Sequence, residues 1–92
     1  MIITHTAAAG TIESSDIMVT VMPNKDCINI ELESSVFSQY GESIITTIRE
    51  VAASMNISAA KIVAYDRGAL DCTIRARVET ALRRAAESCK ED

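Results

Sequence analysis

A short polar segment near the start of the chain carries the side chains of greatest chemical interest. The segment Glu13-Ser14-Ser15-Asp16 places two hydroxyls side by side, and apolar residues flank it on both sides. A polar cluster between two candidate strands is typical of a hairpin turn, so both hydroxyls should be exposed. From the residue types alone, turn formation explains the cluster without any further role.

The other reactive side chains form no recognisable catalytic or metal-binding pattern. The three cysteines, Cys27, Cys72 and Cys89, are widely spaced, and the single histidine, His5, lies near the N-terminus. No cysteine or histidine pair has the spacing of zinc ligands. No nucleophile lies in a known catalytic motif. We therefore expect no metal on this chain, no catalytic residue, and ordinary thiols in a reducing compartment.

Regularly spaced charges indicate solvent-exposed faces and not an acid/base pair. Glu31 and Glu33 alternate along a candidate strand, which is typical of a face in contact with water. Arg75, Glu79 and Arg83 recur every four residues, which is the spacing of surface ion pairs on a helix. Nothing in either set marks two carboxylates as a general acid and base.

Composition limits the classes of protein to which the chain can belong. Its 92 residues, 48% apolar and 24% charged, predict one globular domain. A net charge of −4 and a 3% aromatic content argue against nucleic-acid binding. No apolar run is long enough to span a membrane, and the N-terminus lacks the features of a secretory signal. We expect a cytoplasmic protein with neither a nucleic-acid nor a membrane partner.

Hydropathy periodicity predicts the element order β-β-β-α-β-α. The predicted strands cover 7–13, 16–22, 27–33 and 60–65, and the predicted helices cover 36–55 and about 70–88. Two helices on one face of a four-stranded sheet give a two-layer α+β sandwich. If strands 27–33 and 60–65 are parallel neighbours, helix 36–55 joins them by a right-handed crossover. The alternative for 69–74 is a strand paired with 60–65, because its apolar residues also alternate.

Residues at the ends of these elements carry further signals. Ser34 or Ser35 is the expected N-cap of the first helix, and Asn56 its left-handed C-cap. Gly10 marks a bulge or a close backbone approach, and 66–68 forms a turn in which Arg67 has docking as an alternative role. The tail 87–92 should fray. The apolar stripes predicted to face the core are Phe37, Tyr40, Ile44, Ile48, Val51 and Met55 on the first helix, and Leu70, Ile74, Val78, Ala81, Leu82 and Ala85 on the second.

Three separated segments, in order, carry a resemblance to a known family. They are AGTIESSDIM at 9–18, the stretch 34–48 that contains QYGE, and DRGALDCTIRARVE at 66–79. The combination covers nearly the whole chain and resembles the acyl carrier (gamma) subunit of citrate lyase. The chain lacks the Asp-Ser-Leu at a helix start that helical, fatty-acid-type carriers use.

The resemblance implies a role for the polar turn. By position, Ser14 is the attachment point of a covalent phosphoribosyl-dephospho-coenzyme A group (2'-(5''-phosphoribosyl)-3'-dephospho-CoA), held through a phosphodiester. Many family members have glycine where this chain has Ser15, which makes Ser15 a weaker competitor and leaves the turn type open. Glu13 and Asp16, which flank the turn, would repel a polyanionic donor. We therefore expect the prosthetic-group transferase to supply cations and a base.

The resemblance also implies a function. The chain would be a non-catalytic subunit that shuttles acetyl and citryl thioesters between the transferase (alpha) and lyase (beta) subunits of citrate lyase. Any metal of the lyase step would belong to the partner subunit. Two alternatives remain: the carrier subunit of malonate decarboxylase, and an adaptor module that bears no covalent group. Segments 10–13 and 68–71 fit the citrate lyase carrier better.

Overall fold

The computed structural model describes residues 2–86, without the side chains of Phe37 and Ser38. Its elements are β1 (Ala7–Gly10), β2 (Ile17–Met22), β3 (Ile28–Ser34), α1 (Phe37–Ser54), β4 (Ala60–Asp66) and α2 (Asp71–Ala86). This is the predicted β-β-β-α-β-α order of an α+β fold. Within this part of the chain no helix combines the length and the apolar character needed to cross a bilayer.

The four strands form one mixed sheet in the order β1-β2-β4-β3. Strand β2 runs antiparallel to both β1 and β4, whereas β3 and β4 are parallel. The condition stated for a crossover through α1, that its two flanking strands are parallel neighbours, is therefore met. Ile17, at the start of β2, pairs with Asp66, at the end of β4. The loop before β2 and the loop after β4 consequently lie side by side at one end of the two central strands.

One face of the sheet is buried under both helices. Strand β2 alternates between buried and half-buried residues, as expected when one face meets the core and the other does not. The two helices pack against each other, α1 against β3 and α2 against β1 and β2, which gives the predicted two layers. The largest fully buried apolar side chains are Ile17, Ile48, Ile62, Leu82, Val19, Val21 and Val78.

The predicted N-cap of α1 is wrong. Val36 occupies that position, and no side chain caps the helix. The Ser34 hydroxyl is engaged elsewhere: it donates to Asp66 Oδ2 at 2.8 Å and accepts from the Val36 N–H at 3.1 Å. This local side-chain turn competes with capping of the first helical turn.

Helix α1 is followed by a left-handed residue, as the sequence predicts. Asn56 has a φ of 59°, in the left-handed region. Its N–H donates to the Ala53 carbonyl at 3.0 Å, and the Ile57 N–H donates to the Ala52 carbonyl at 3.0 Å. These two bonds form a Schellman motif, which satisfies carbonyls that the helix leaves open.

Two residues of the predicted apolar stripes lie at the surface among those whose side chains the structure describes, and the prediction for Phe37 falls outside them. Tyr40 is 56% exposed and Leu70 is 69% exposed. Both line a surface groove between the first turns of α1 and the segment that precedes α2. Leu70 precedes the helix, and its carbonyl accepts the Ile74 N–H at 3.0 Å. The alternative strand at 69–74 is therefore wrong, because helical pairing begins there.

The strand ends also differ from prediction. Strand β1 ends at Gly10 and not at residue 13. Gly10 has a φ of +96°, and a Cβ placed there would collide with the carbonyl oxygen of Ile17. The predicted close approach is confirmed, and it turns the chain out of β1 into the loop 11–16. Strands β2 and β4 differ from prediction by one residue at one end, and β3 is shifted by one residue at both ends. The predicted end of the second helix at residue 88, the frayed tail and Cys89 lie outside the described residues.

Candidate functional site

The loop 11–16 between β1 and β2 contains a tight turn centred on the two serines. The Asp16 N–H donates to the Glu13 carbonyl at 3.2 Å and closes a four-residue β-turn. Ser14 does not have positive φ, whereas Ser15 has a φ of 64°. A positive φ at the second central position is the pattern of a type II turn, which favours glycine there. The turn type, which the sequence left open because of Ser15, is therefore type II.

Both serine hydroxyls at this turn face solvent. Ser14 and Ser15 are exposed, and within residues 2–86 neither hydroxyl makes a hydrogen bond to the protein. The His5 ring lies elsewhere, beside the hydroxyl of Thr4 at 2.9 Å. A serine with no adjacent base is a weak nucleophile, and within residues 2–86 neither hydroxyl is hydrogen-bonded to a base.

The turn is exposed but is fastened to the neighbouring loop. The Ser15 N–H donates to the Arg67 carbonyl at 2.7 Å, and the Arg67 N–H donates to the Asp16 carbonyl at 2.9 Å. The Arg67 guanidinium donates to the Ile12 carbonyl at 3.1 Å. These bonds continue the β2–β4 ladder beyond the ends of both strands. They fix the backbone on either side of Ser14 while its side chain stays accessible.

Asp16 is held inward by a two-pronged ion pair. Its side chain is 14% exposed, and Arg77 donates to Oδ1 from Nε at 3.1 Å and to Oδ2 from Nη2 at 3.0 Å. Thr11 Oγ1 donates to Oδ2 at 2.6 Å, and the Ile17 N–H donates to Oδ1 at 2.7 Å. The Arg77 hydrogen bonds, followed by those from Thr11 and Ile17, lower the pKa of Asp16 from 3.8 to about 2. Arg77 therefore offsets the repulsion that the sequence predicted from Asp16. Glu13 stays exposed, without an ion pair among the described residues.

A buried carboxylate supports the neighbouring loop. Asp66 is 2% exposed. Its Oδ2 accepts from the Ser34 hydroxyl at 2.8 Å and from the Gly68 N–H at 3.1 Å, and its Oδ1 accepts from the Ala69 N–H at 3.0 Å. Asp66 thus joins the end of β3 to the loop that holds Arg67. Sequence reasoning placed Asp66 in a turn but missed this role; an aspartate two residues before a glycine was the available signal.

The remaining candidates behave as surface groups. Arg83 pairs with Glu79 at 2.7 Å, as the helical spacing predicted. Arg75 pairs with Asp71 at 2.8 Å and with Glu50 at 2.8 Å, and not with Glu79 as the spacing suggested. Cys27 and Cys72 are free, exposed thiols. Among residues 2–86, no group of three or more His, Cys, Asp or Glu side chains has the arrangement of a metal site.

Comparisons with known proteins place the chain in a family. A family model for acyl carrier proteins, described as "Malonate decarboxylase delta subunit (MdcD)", matches residues 4–85. The citrate lyase acyl carrier protein of Haemophilus influenzae (strain PittEE) is 52% identical over 87 residues, which cover 95% of this chain and 90% of the relative. The protein of the same name from Streptococcus mutans serotype c is 51% identical over 88 residues, which cover 95% of this chain and 86% of the relative.

A solved structure shares the fold. One chain of a Pseudomonas malonate decarboxylase hetero-tetramer, crystallised in complex with malonate, aligns with a TM-score of 0.76 at 19% identity. The alignment covers 91% of this chain and 87% of that chain. At this identity the likeness concerns the fold alone, whereas identities near 50% over almost the whole length identify the family. The chain belongs to the citrate lyase acyl carrier protein family.

Proposed function

We propose that this chain is the acyl carrier subunit of citrate lyase and that the Ser14 hydroxyl anchors its prosthetic group. The observation that carries the proposal is the exposed, unbonded Ser14 hydroxyl at the corner of a turn fastened through Ser15 and Asp16. Relatives at about 50% identity named citrate lyase acyl carrier protein favour citrate lyase over malonate decarboxylase.

The prosthetic group we propose is phosphoribosyl-dephospho-coenzyme A, joined to Ser14 Oγ through a phosphodiester. Bound there, it supplies a thiol at the end of a long flexible arm, which can form thioesters. The site fits such a group because the hydroxyl opens to solvent and, in the described part of the chain, makes no hydrogen bond that attachment would break. The acidic charge of Asp16 is also compensated by Arg77 before a phosphate arrives.

The residues of this chain have a positioning role in the proposal. A carrier anchor must be reached by a modifying enzyme and by the active sites that use the arm, which suits a hairpin loop on a rigid sheet. The bonds from Ser15 and Asp16 to Arg67 keep the anchor in one place. The prosthetic-group transferase supplies the base for the Ser14 proton and most of the cations for its donor. Bond formation and cleavage then take place on the alpha and beta subunits of citrate lyase, in the cytoplasm.

Ser14 is favoured over Ser15 by backbone geometry. The Ser15 N–H is bound to Arg67, and its φ of 64° commits Ser15 to the type II turn. A transferase that twists this residue toward its active site must break that arrangement. Ser14, at the outer corner, has no such restraint through its own N–H among the residues that the structure describes.

Intact-mass measurement tests the anchor. The full chain is co-expressed with its prosthetic-group transferase as the wild type, as Ser14→Ala and as the matched control Ser15→Gly. We expect the mass of one prosthetic group on the wild type and on Ser15→Gly, and none on Ser14→Ala. An adduct that persists in Ser14→Ala on Ser15 would move the anchor to Ser15. If no variant carries an adduct while the transferase modifies the H. influenzae relative, the adaptor alternative is correct.

Reconstitution tests the enzyme that uses the carrier. The modified chain is added to citrate lyase alpha and beta subunits that lack their carrier, and citrate-dependent oxaloacetate formation is followed. We expect activity to return with the wild type and not with Ser14→Ala. Restoration of malonate decarboxylation by carrier-free malonate decarboxylase, without any citrate cleavage, would establish the alternative instead.

A further inference from the structure

We propose that Arg67 binds the phosphate through which the prosthetic group is joined to Ser14. This inference rests on the proposed function and assigns a ligand to a side chain that the fold leaves available. Arg67 lies in the loop after β4, which the sheet places directly beside the Ser14 turn.

Arg67 contacts the backbone on both sides of Ser14. Its guanidinium Nη1 lies 3.1 Å from the Ile12 carbonyl, and its own carbonyl lies 2.7 Å from the Ser15 nitrogen. Ile12 and Ser14 are two residues apart, a distance that spans at most about 7 Å of chain. The guanidinium is therefore close enough to meet a phosphate esterified to the Ser14 oxygen.

The charge of Arg67 is uncompensated in the part of the chain that the structure describes. Arg75, Arg77 and Arg83 each form an ion pair with a carboxylate, whereas the only side-chain bond of Arg67 goes to a neutral carbonyl. A guanidinium has five N–H donors in a planar fork, so donors are left for an anion. A phosphodiester presents two free oxygens and one negative charge, which that fork can bind in a bidentate manner.

The neighbouring acidic groups do not occupy Arg67. The Asp16 carboxylate is satisfied by Arg77, Thr11 and the backbone. Glu13 forms no ion pair among residues 2–86. The phosphate is consequently the anion that the proposed modification would bring within reach of this guanidinium.

Arg84 provides a matched control. Its guanidinium also donates to one backbone carbonyl, that of Ala8 at 2.8 Å, and has no ion pair among the described residues. Ala8 lies in β1 and not in the loop 11–16. Substitution of Arg84 therefore changes the net charge equally without touching the anchor.

Phosphorus NMR of the modified full chain tests the inference. We record the resonance of the Ser14 phosphodiester at low salt and at about 1 M salt. At about 1 M the Debye length is only about 3 Å, so salt weakens the attraction between the phosphate and an exposed guanidinium. We expect the wild type and Arg84→Gln to shift with salt, and Arg67→Gln to show the high-salt position throughout. We also expect Arg67→Gln to be modified about threefold to tenfold more slowly than Arg84→Gln, as for loss of one charge-assisted contact.

A second measurement needs no substitution. The side-chain Nε–H resonance of Arg67 is compared between the unmodified and the modified wild-type chain, and it should move on attachment while that of Arg84 stays. An unchanged Arg67 resonance, or an unaltered salt response in Arg67→Gln, would overturn the inference while the adduct on Ser14 upheld the proposed function. Absence of any adduct in the wild type, with active transferase, would instead overturn the proposed function itself.

Discussion

Ser15 adopts a backbone conformation that favours glycine. Its φ of 64° lies in the left-handed region, where an L-residue with a Cβ is strained by roughly 1–2 kcal/mol. The turn tolerates this because the Ser15 N–H and the Asp16 carbonyl are both bonded to Arg67. The strain is therefore located one residue from the proposed anchor, in a residue that makes no side-chain hydrogen bond within 2–86.

We expect Ser15→Gly to stabilise the fold by about 0.5 kcal/mol, because relief of strain exceeds the added freedom of the unfolded chain. The matched change Ser14→Gly, at a position without positive φ, should destabilise by about 0.5–1 kcal/mol. Urea unfolding of the two variants measures both free energies. Equal effects of the same sign would contradict the type II turn.

Asp16 should make stability depend on pH in the acid range. Its pKa falls from 3.8 to about 2 on folding, so the contribution is fully present above about pH 4 and is lost as the pH drops toward 2. Because Arg77 is 41% exposed, screening reduces the contribution, and we expect Asp16→Asn to cost about 1 kcal/mol at pH 7. Urea midpoints from pH 7 to pH 2 should show the gap closing.

Glu13→Gln serves as the control for Asp16→Asn. It removes the same charge from the same loop but breaks no ion pair among residues 2–86. Its stability should stay within about 0.5 kcal/mol of the wild type at every pH. A gap between Asp16→Asn and the wild type that stays constant down to pH 2 would refute the ion-pair explanation.

At the scale of the elements, Gly10 shapes the hairpin loop that contains the proposed anchor. Both Gly10 and Gly68 have positive φ, but only at Gly10 would a Cβ strike backbone, the carbonyl oxygen of Ile17. We expect Gly68→Ala to cost about 1 kcal/mol from strain alone and Gly10→Ala to cost about 3 kcal/mol or more. Urea unfolding of the two variants separates the cost of the backbone collision from that of the strained φ. Equal losses of stability would show that a small shift of the backbone relieves the close approach.

Asp66, at the end of β4, joins the end of β3 to the loop that lies beside the proposed anchor. Asp66→Asn would set an amide N–H₂ against N–H or O–H donors, so we expect a loss of about 1–3 kcal/mol. Amide exchange at Ser15 should also accelerate, because the Arg67 carbonyl that it binds loses its support. Glu33→Gln, at an exposed position of β3, is the control. If exchange at Ser15 is unchanged in a destabilised Asp66→Asn, the two loops are independent.

Element types followed from the sequence more readily than element ends. The alternation of Ile28, Ile30 and Leu32 and the helical stripes reflect which face is buried, and burial determines both periods. The ends depend on contacts between distant residues. Ser34 fails as an N-cap because Asp66, 32 residues away, takes its hydroxyl. Tyr40 and Leu70 fit the stripes but lie where no second layer covers them.

For the candidate site, the sequence likewise indicated the local turn but not its long-range contacts. The turn at Ser14 could be inferred from its polar residues and from the resemblance of the surrounding segments. The ion pair of Asp16 with Arg77 spans 61 residues, and no local pattern reports such a partner. The hydrogen bonds from Arg67 to Ser15 and Asp16 exist because β2 pairs with β4. The order of elements along the chain does not determine that pairing.

The whole molecule depends on one small core. A chain of 92 residues has marginal stability, so a single cavity should be felt strongly. Leu82 is fully buried and Leu70 is 69% exposed, so the same truncation can be compared at a buried and at an exposed position. We expect Leu82→Ala to cost about 2–5 kcal/mol and Leu70→Ala less than about 0.5 kcal/mol in urea unfolding. Similar costs would place Leu70 in the core after all.

The central position of β2 has a mechanical consequence for the proposed attachment at Ser14. Strand β2 is hydrogen-bonded to β1 on one side and to β4 on the other. The loop 11–16 joins β1 to β2, so a pull on it along the strand axis moves both strands together and loads the β2–β4 ladder in shear. The bonds of that ladder must yield together and cannot unzip in succession. A force transmitted through the proposed arm would therefore act on a ladder in shear and would not peel the sheet open.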